Sequence, residues 1–170
     1  MISLGLDAST RCVGYAFTED RKILSAGFID ISKVETNRKK AWFVVGEMKK
    51  HPLMGKELVI NLEASLAGFS GANVVVQLAK WNAVLEYVLT DAFGKEVNLV
   101  NVSTVRKFVF GKARIKGMDS KLFVKTELER MYDMTPWQVK NKLGNIDKKV
   151  EDTYDAVVIS LYTKTVFSKK

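Results

Sequence analysis

The sequence predicts an α/β domain built around a mixed five-stranded sheet. Three short apolar segments follow one another near the N-terminus, as in an antiparallel meander. After them, segments typical of strands and helices alternate, which favours parallel strands in the same sheet. The chain has 170 residues, 47% of them apolar, enough for one domain with a sizeable core. We therefore expect a single domain over residues 1–170.

The predicted meander occupies the first thirty residues. Its first strand starts at Ile2 and ends on the carboxylate of Asp7, a polar turn follows at residues 8–11, and the second strand carries Gly14. The third strand is Lys22–Asp30. Both faces of so apolar a first strand are expected to be buried, and a buried carboxylate needs a partner.

Two further elements follow the meander. Ser32 and Glu35 fit a capping box, so a helix is predicted over residues 34–50. Leu58–Glu63 is a strongly apolar fourth strand, and like the first it ends on a carboxylate. A glycine-containing loop at residues 64–71 comes next.

The remaining residues give two more helices, a fifth strand and one uncertain region. Apolar residues at helical spacing predict a helix over residues 73–92, and residues 97–102 read as the fifth strand. Residues 103–117 are predicted to be a loop or a broken helix. Two helices then follow at 119–131 and 149–167, separated by a stretch without a clear period.

Single copies of two residue types exclude several classes of site. Cys12 is the only cysteine and His51 the only histidine. A disulfide framework within the chain and a Cys/His zinc cluster are therefore excluded, and any metal must be bound by oxygen. No apolar run approaches the roughly 18 residues of a membrane span, and no signal peptide is visible. We expect a cytoplasmic protein without membrane contact.

The positive charge of the chain is concentrated in one segment. The net charge is +8, and residues 103–149 carry 12 Lys or Arg against 5 Asp or Glu, a surplus of 7. A local basic surplus is typical of a surface that binds a polyanion, although charged runs are also ordinary solvated surface. Phenylalanines and glycines interleave with these cations, as in nucleic-acid-binding loops. The candidate contacts are Arg106, Lys107, Lys112, Arg114 and Lys116.

Four acids stand out because of where they lie. Asp7 and Glu63 end apolar strands, while Asp152 and Asp155 lie three residues apart near the start of the last helix and share one face of it. Structural roles are the alternatives: Asp7 could cap the turn that follows it, and acids near a helix N-terminus stabilise the helix dipole. Like charges gathered at one place favour a cation site instead.

The chemistry of such a site follows from its ligands. Four carboxylates without histidine or cysteine suit Mg²⁺ or Mn²⁺. Two such ions, about 3.5–4 Å apart, would stabilise the attacking and leaving oxygens of an in-line phosphoryl displacement. With the basic segment, this predicts a phosphodiesterase that acts on nucleic acid. Gly14, beside Asp7, would leave room for a phosphate or metal to approach the sheet.

The ordered set of motifs resembles the RuvC family of Holliday junction resolvases, in the ribonuclease H-like group. The matching segments are Gly5-Leu6-Asp7 with Gly14-Tyr15, Ile60-Asn61-Leu62-Glu63, and Asp152-x-x-Asp155-Ala156. The resemblance implies a mixed five-stranded sheet whose first three strands are antiparallel, and a homodimer that cuts two strands of a four-way DNA junction symmetrically. The family's metal-binding acids fall on Asp7, Glu63, Asp152 and Asp155, and its basic DNA contacts fall on or near Arg106 and Lys121.

The sequence also departs from the bacterial members of this family. Ala8-Ser9 follows the first aspartate where bacterial members usually have Pro-Gly, a form associated with phage or viral relatives. The aromatic residue that wedges the junction in the family aligns with Leu66, and Phe69 lies three residues further on. We expect Phe69 to be a DNA contact. These departures count against partnership with a bacterial branch-migration motor.

Other functions remain as alternatives. A ribonuclease H-like nuclease acting on an RNA–DNA hybrid, flap or fork would use the same acids. An actin- or sugar-kinase-like ATPase also begins with an aspartate in a glycine-containing hairpin, but needs a second such domain and a second nucleotide motif. A non-catalytic basic DNA-binding module would keep the acids for structure alone. Dimerisation would favour a junction as the substrate, and the apolar helix over residues 73–92 is the candidate interface.

Overall fold

The computed structural model describes residues 1–64 and 72–163, which form a sheet flanked by helices. The strands are β1 (Ile2–Ala8), β2 (Cys12–Glu19), β3 (Lys22–Asp30), β4 (Leu58–Glu63) and β5 (Val97–Val100). The helices are α1 (Asn37–Lys49), α2 (Ala72–Phe93), α3 (Val102–Phe110), α4 (Ser120–Met131) and α5 (Val150–Ser160). Short 3₁₀ turns lie at Pro52–Gly55 and Thr135–Trp137.

The sheet is mixed and has the strand order β3-β2-β1-β4-β5. β1 pairs antiparallel with β2, which pairs antiparallel with β3. β4 runs parallel to β1, and β5 runs parallel to β4. The predicted fold class, with its three antiparallel strands followed by two parallel ones, is confirmed. The carboxyl ends of β1, β3, β4 and β5 consequently lie along the same edge of the sheet.

Side-chain alternation along the strands divides the core into two layers. Leu4 and Leu6 of β1 belong to an apolar cluster with α1 and α2 on one face of the sheet. A second cluster, formed largely by α3, α4 and α5, covers the other face. Successive residues of a strand point to opposite faces. Asp7 therefore points toward α5, on the face opposite Leu6.

The first helix begins later than predicted, and its cap is a different residue. α1 starts at Asn37, and the side chain of Thr36 accepts a hydrogen bond from the backbone N–H of Lys39 at 3.3 Å. The backbone N–H of Ser32 donates instead to the carboxylate of Asp30 at 2.9 Å. The capping box predicted at Ser32 and Glu35 is wrong because Asp30 and Thr36 together set the entry to the helix.

Residues 103–117 contain a regular helix where the sequence predicted a loop or broken helix. The side chain of Asn101 accepts from two backbone N–H groups of the first turn of α3, and so caps it. Gly111, at φ 75°, ends the helix in the left-handed conformation that glycine adopts easily. The short length of α3, nine residues, hid its period in the sequence. The last helix ends at Ser160, before the predicted end.

None of the helices within residues 1–64 and 72–163 is long and apolar enough to cross a membrane.

Candidate active site

The two strand-end acids lie side by side at the edge of the sheet. β1 and β4 are parallel neighbours in a register that pairs Leu6 with Leu62, so Asp7 and Glu63 are the next residues on both strands. Both side chains point to the α5 face, and they are in hydrogen-bonding contact with each other. Two carboxylates in such contact repel each other, so the pair readily holds one proton between them.

Burial and mutual repulsion change how these two acids titrate. Desolvation is the main reason why the pKa of Asp7 is raised well above its ordinary range, and the charges of Glu63 and Asp155 raise it further. The pKa of Glu63 is also raised, mainly by burial, although its hydrogen bond with Asp7 opposes this. In the absence of a bound cation, this part of the site favours the protonated form of the pair.

Helix α5 brings two more acids to the same edge. Asp155 is almost fully buried and Asp152 is partly buried, whereas Glu151, one turn before Asp155, is exposed. The negative charge of Asp155 acts on both Asp7 and Glu63. The structure therefore brings together the four acids that the sequence singled out.

Two glycines of the sheet make this approach of α5 possible. Gly14 pairs with Asp7 across the β1–β2 ladder. A Cβ atom at Gly14 would overlap the backbone carbonyl of Asp152, and one at Gly5 would overlap the backbone of α5 near Ser160. The prediction that Gly14 leaves room for a phosphate or metal is wrong, because the backbone of α5 fills that space. Gly14 instead lets α5 pack close enough to the sheet for Asp152 and Asp155 to lie near the strand ends.

Two basic side chains lie among the carboxylates. Lys121 Nζ is 2.8 Å from Asp155 Oδ2 and 3.3 Å from Asp152 Oδ1. Arg106 Nη2 is 3.0 Å from the other oxygen of Asp155, Oδ1. Burial lowers the pKa of Lys121, but the surrounding carboxylates, Asp155 first, outweigh burial and raise it overall. Arg106 and Lys121, both predicted as DNA contacts, therefore contact the acids of the site directly.

The donor atoms at this edge suit a hard divalent cation, although their present arrangement does not form a closed metal cage. Within residues 1–64 and 72–163, no three or more Asp, Glu, His or Cys side chains are arranged to hold a metal ion. The ammonium of Lys121 and the guanidinium of Arg106 neutralise part of the negative charge instead. The site offers only carboxylate oxygens, and two of its carboxyl groups have a raised pKa. Mg²⁺ and Mn²⁺ prefer such oxygen ligands, and their charge would offset the repulsion between the carboxylates.

The structural alternative for Asp7, capping of the turn that follows it, is filled by Ser9. The hydroxyl of Ser9 donates to the carbonyl of Cys12 at 2.9 Å and accepts from its N–H at 3.0 Å. Ser9 thus closes the turn that an Asx-type cap by Asp7 would have closed. Asp7 is left facing Glu63.

The other candidate DNA contacts lie near α3 and the segment that joins it to α4. Lys107, Arg114 and Lys116 are exposed. Lys112 is more constrained, because its Nζ is 3.1 Å from Glu127 and 5.9 Å from the ring centre of Phe123. Three of these side chains are thus displayed to solvent, and one is held against α4.

An open cleft borders the acids on the α4 side. Its volume is about 320 Å³, and it lies between α4 and the start of α5, next to Asp155. Lys121, Lys125 and Lys148 line it together with four acids, Asp119, Asp147, Glu151 and Asp155. The lining therefore carries charges of both signs, and Lys121 and Asp155 belong to both the cleft and the site.

Phe69 and Leu66, the two candidates for the junction wedge, lie outside the described residues.

Two polar residues of the site were missed in the sequence. Asn82 donates to the backbone carbonyl of Glu63 at 2.8 Å and so holds the end of β4. Ser120 accepts from Arg106 Nη1 at 2.7 Å and so positions the guanidinium that binds Asp155. Asn82 was visible as a polar residue beside the buried Trp81 in the apolar helix α2. Ser120 gave no signal, because its partner lies 14 residues away.

Comparison with known proteins gives structural matches only. No family model matches the sequence, and no curated protein matches it. The chain is similar to RuvC from Thermus thermophilus in complex with a Holliday junction substrate, with 13% identity, a TM-score of 0.61, and coverage of 94% of this chain and 92% of that one. A second structure of Thermus thermophilus RuvC matches over the same shares with 13% identity and a TM-score of 0.56. At this identity the matches establish the fold, which is ribonuclease H-like as expected.

Proposed function

We propose that the protein is a metal-dependent endonuclease that resolves four-way DNA junctions by paired symmetric nicks. One observation carries the proposal: four carboxylates from two strand ends and one helix meet beside two cations at one edge of the sheet. The ribonuclease H-like fold supports it, since the similar Thermus thermophilus RuvC is described with a Holliday junction substrate.

The proposed metal ligands are Asp7, Glu63, Asp152 and Asp155. We propose two Mg²⁺ ions per site, with Mn²⁺ able to substitute, because the available donors are hard carboxylate oxygens. When bound, such ions supply an activated water nucleophile and stabilise the leaving 3′ oxygen.

Arg106 and Lys121 have separate positioning roles in this proposal. Arg106 is largely buried, and it fixes Asp155 from one side while Ser120 holds the guanidinium in place. Lys121 is 40% exposed and lines the cleft beside Asp155. Its ammonium can therefore contact a phosphate of the bound strand while it remains near the acids.

The DNA would follow the basic side of the molecule. The proposed contacts are Arg106, Lys107, Lys112, Arg114, Lys116 and Lys121, with Phe69 as the wedge that unstacks bases at the junction. Cations at this density neutralise phosphates without reading sequence, which fits recognition by the shape of branched DNA. Ala8-Ser9, after Asp7, is the feature that favours a phage or viral type of enzyme.

Two symmetric nicks require two sites related by a two-fold axis, so the proposal includes a homodimer. Helix α2 is the proposed interface. It presents the exposed apolar side chains Val74, Val76 and Tyr87.

The test is cleavage of a matched set of substrates by the purified protein in Mg²⁺ or Mn²⁺. The set contains four-way, three-way, flap, RNA–DNA hybrid and linear duplex substrates of the same sequence. Paired nicks at symmetric positions in the four-way substrate alone are expected. Cutting confined to flaps or hybrids would favour the second candidate, a ribonuclease H-like nuclease with another substrate. Binding without any cutting would favour a non-catalytic DNA-binding module.

A further inference from the structure

Helix α1 displays two large aromatic side chains to solvent. Trp42 and Phe43 are 43% and 42% exposed, although both lie in the middle of a regular helix. The opposite side of α1 is buried in the core through Ala41, Val44, Val45 and Met48. These two rings are therefore not needed to fill the core. Adjacent exposed aromatic residues of this size mark a surface that binds something.

Cations flank the two rings on the same side of the helix. Arg38 and Lys39 are exposed, and they lie one turn before Trp42 and Phe43, respectively. The four side chains line an open groove of about 720 Å³ with Val34 and Thr36. Residues 31–50 carry 6 Lys or Arg against 2 Asp or Glu, a surplus of 4. One acid, Glu35, pairs with Lys39 at 2.7 Å.

Gly46 leaves the surface beside the rings open. A Cβ atom at this position would meet nothing within 4 Å, so packing does not require a glycine there. Glycine in a helix interior costs about 1 kcal/mol relative to alanine. Gly46 lies one turn after Trp42 and Phe43, so its missing side chain gives a flat ligand access to the rings. We call Arg38, Lys39, Trp42, Phe43 and Gly46 the α1 platform.

The α1 platform begins at the same edge of the sheet as the acids. The turn after Asp7 is held to the entry of α1, because the N–H of Ile31 donates to the carbonyl of Arg11 at 2.9 Å and Lys40 donates to the carbonyl of Thr10. Arg11, on that turn, is exposed. Lys40 thus joins the turn beside Asp7 to the first turn of α1, and Arg11 adds a positive charge to that turn.

We propose that the α1 platform binds an unpaired nucleic-acid strand by stacking its bases on Trp42 and Phe43 and pairing its phosphates with Arg38 and Lys39. The combination of exposed rings, positive charge and an open helix face matches the chemistry of single-strand binding, in which aromatic side chains stack on bases without reading sequence. That the strand is an unpaired arm of branched DNA rests on the proposed function. Strand binding itself does not.

The test measures binding of a fluorescein-labelled 20-mer of thymidine by anisotropy, with the full chain in EDTA so that no cutting occurs. Trp42→Ala should weaken binding about tenfold, within the 1–3 kcal/mol that stacking on one base contributes. A strand of abasic sites keeps the phosphates but lacks the bases, so the same variant should bind it as the wild type does. Arg38→Ala should instead reduce the log–log salt slope by about 0.7, the value for one phosphate of a single strand.

Two variants separate binding from folding. Gly46→Leu keeps both rings and all charges, adds a helix-favouring residue and fills the open space, so it should weaken thymidine binding without lowering the melting temperature. Leu143→Ala removes an apolar side chain that is 85% exposed elsewhere on the surface, and it should bind as the wild type does.

Wild-type affinity in a Trp42→Ala, Phe43→Ala double variant would overturn the proposal. So would a change from dimer to monomer in sedimentation with unchanged strand affinity, because the platform would then be a contact between copies of the chain. The outcomes for the two proposals are distinguishable. If Trp42→Ala loses strand affinity and the wild type cuts no branched DNA, only the nuclease proposal fails. If the double variant keeps its strand affinity and the wild type cuts branched DNA, only the platform proposal fails.

Discussion

Asp155 is the residue through which the acids and the cations of the site are linked. Its two oxygens bind Arg106 and Lys121 at 3.0 Å and 2.8 Å, and its charge raises the pKa of Asp7. Lys121 also lowers the pKa of Asp7 and of Glu63, and Arg106 lowers that of Glu63, but desolvation and the neighbouring carboxylates outweigh these cations. Such a site lowers the stability of the metal-free fold, as functional sites commonly do.

Replacement of Asp7 by asparagine should therefore stabilise the metal-free protein. Asp7→Asn removes a partly buried acid whose pKa is raised mainly by desolvation. At pH 7 in EDTA we expect the melting temperature to rise by about 2–4 °C, which corresponds to about 1 kcal/mol for a chain of this size. Glu57→Gln, exposed just before the amino end of β4 and at the opposite end of that strand from Glu63, is the matched control and should leave the melting temperature unchanged. A lower melting temperature for Asp7→Asn would show that this carboxylate stabilises the fold.

The same pair of acids predicts the sign of the pH dependence. The pKa values of Asp7 and Glu63 are raised in the folded state above their ordinary values of 3.8 and 4.5. Their contribution to stability is therefore fully present below those ordinary values and is lost as the pH rises through the folded ones. Urea unfolding in EDTA should show the wild type losing stability relative to an Asp7→Asn, Glu63→Gln variant between acid pH and neutrality. A free energy of unfolding of the wild type that instead rises relative to that of the variant as the pH increases would contradict this sign.

At the scale of elements, the close contact of α5 with β1 and β2 places two of the four acids. The contact depends on Gly14, where any side chain would meet the backbone of Asp152. Gly14→Ala must push the helix away from the sheet, so we expect a loss of stability of about 1–3 kcal/mol, typical of overpacking. Displacement of Asp152 and Asp155 should also reduce cutting by the protein that remains folded. Both effects are measurable by urea unfolding and by nicking of a four-way substrate.

Gly55→Ala is the control for this substitution. Gly55 ends a short 3₁₀ turn, and a Cβ atom there would meet nothing within 4 Å. It should alter neither stability nor nicking. Equal behaviour of the two alanine variants would mean that α5 can shift at no cost.

The segment between α3 and α4 carries proposed DNA contacts of two kinds, two that extend into solvent and one that also packs against α4. Arg114 and Lys116 are exposed, whereas Lys112 is held by Glu127 and Phe123. Alanine at Arg114 or Lys116 should reduce the log–log salt slope of junction binding by about 0.9 each. Alanine at Lys112 should reduce the slope too and should also lower the melting temperature, because the contacts with Glu127 and Phe123 are lost. A slope equal to that of the wild type after both exposed residues are changed would place the DNA elsewhere.

At the scale of the whole molecule, the order of strands and helices was predictable from the sequence. Apolar strands that end on Asp7 and Glu63, and a last helix that carries Asp152 and Asp155, were sufficient to place four acids at one edge. Strand order follows from these segments because parallel neighbours bring their carboxyl ends together. Period and position along the chain were therefore enough for the sheet and the acids.

Contacts between distant segments were not predictable in the same way. The ion pairs of Asp155 join residues 34 and 49 positions apart, and they depend on how α3 and α4 pack on α5. The role of Gly14 was not predictable either, because the close approach of a helix backbone leaves no mark in the sequence. The surplus charge on α1 was also concealed, because residues 1–102 as a whole carry 12 Lys or Arg against 11 Asp or Glu.

Cutting of a four-way DNA junction by the wild type, Asp7→Asn and Glu57→Gln, side by side in Mg²⁺, is the most direct test of the proposed site. The wild type and Glu57→Gln should make paired symmetric nicks. Asp7→Asn should not cut, and its junction binding should be retained or strengthened because a negative charge near the phosphates is removed. Unchanged cutting by Asp7→Asn would contradict the claim that the four carboxylates form one metal-dependent hydrolytic site.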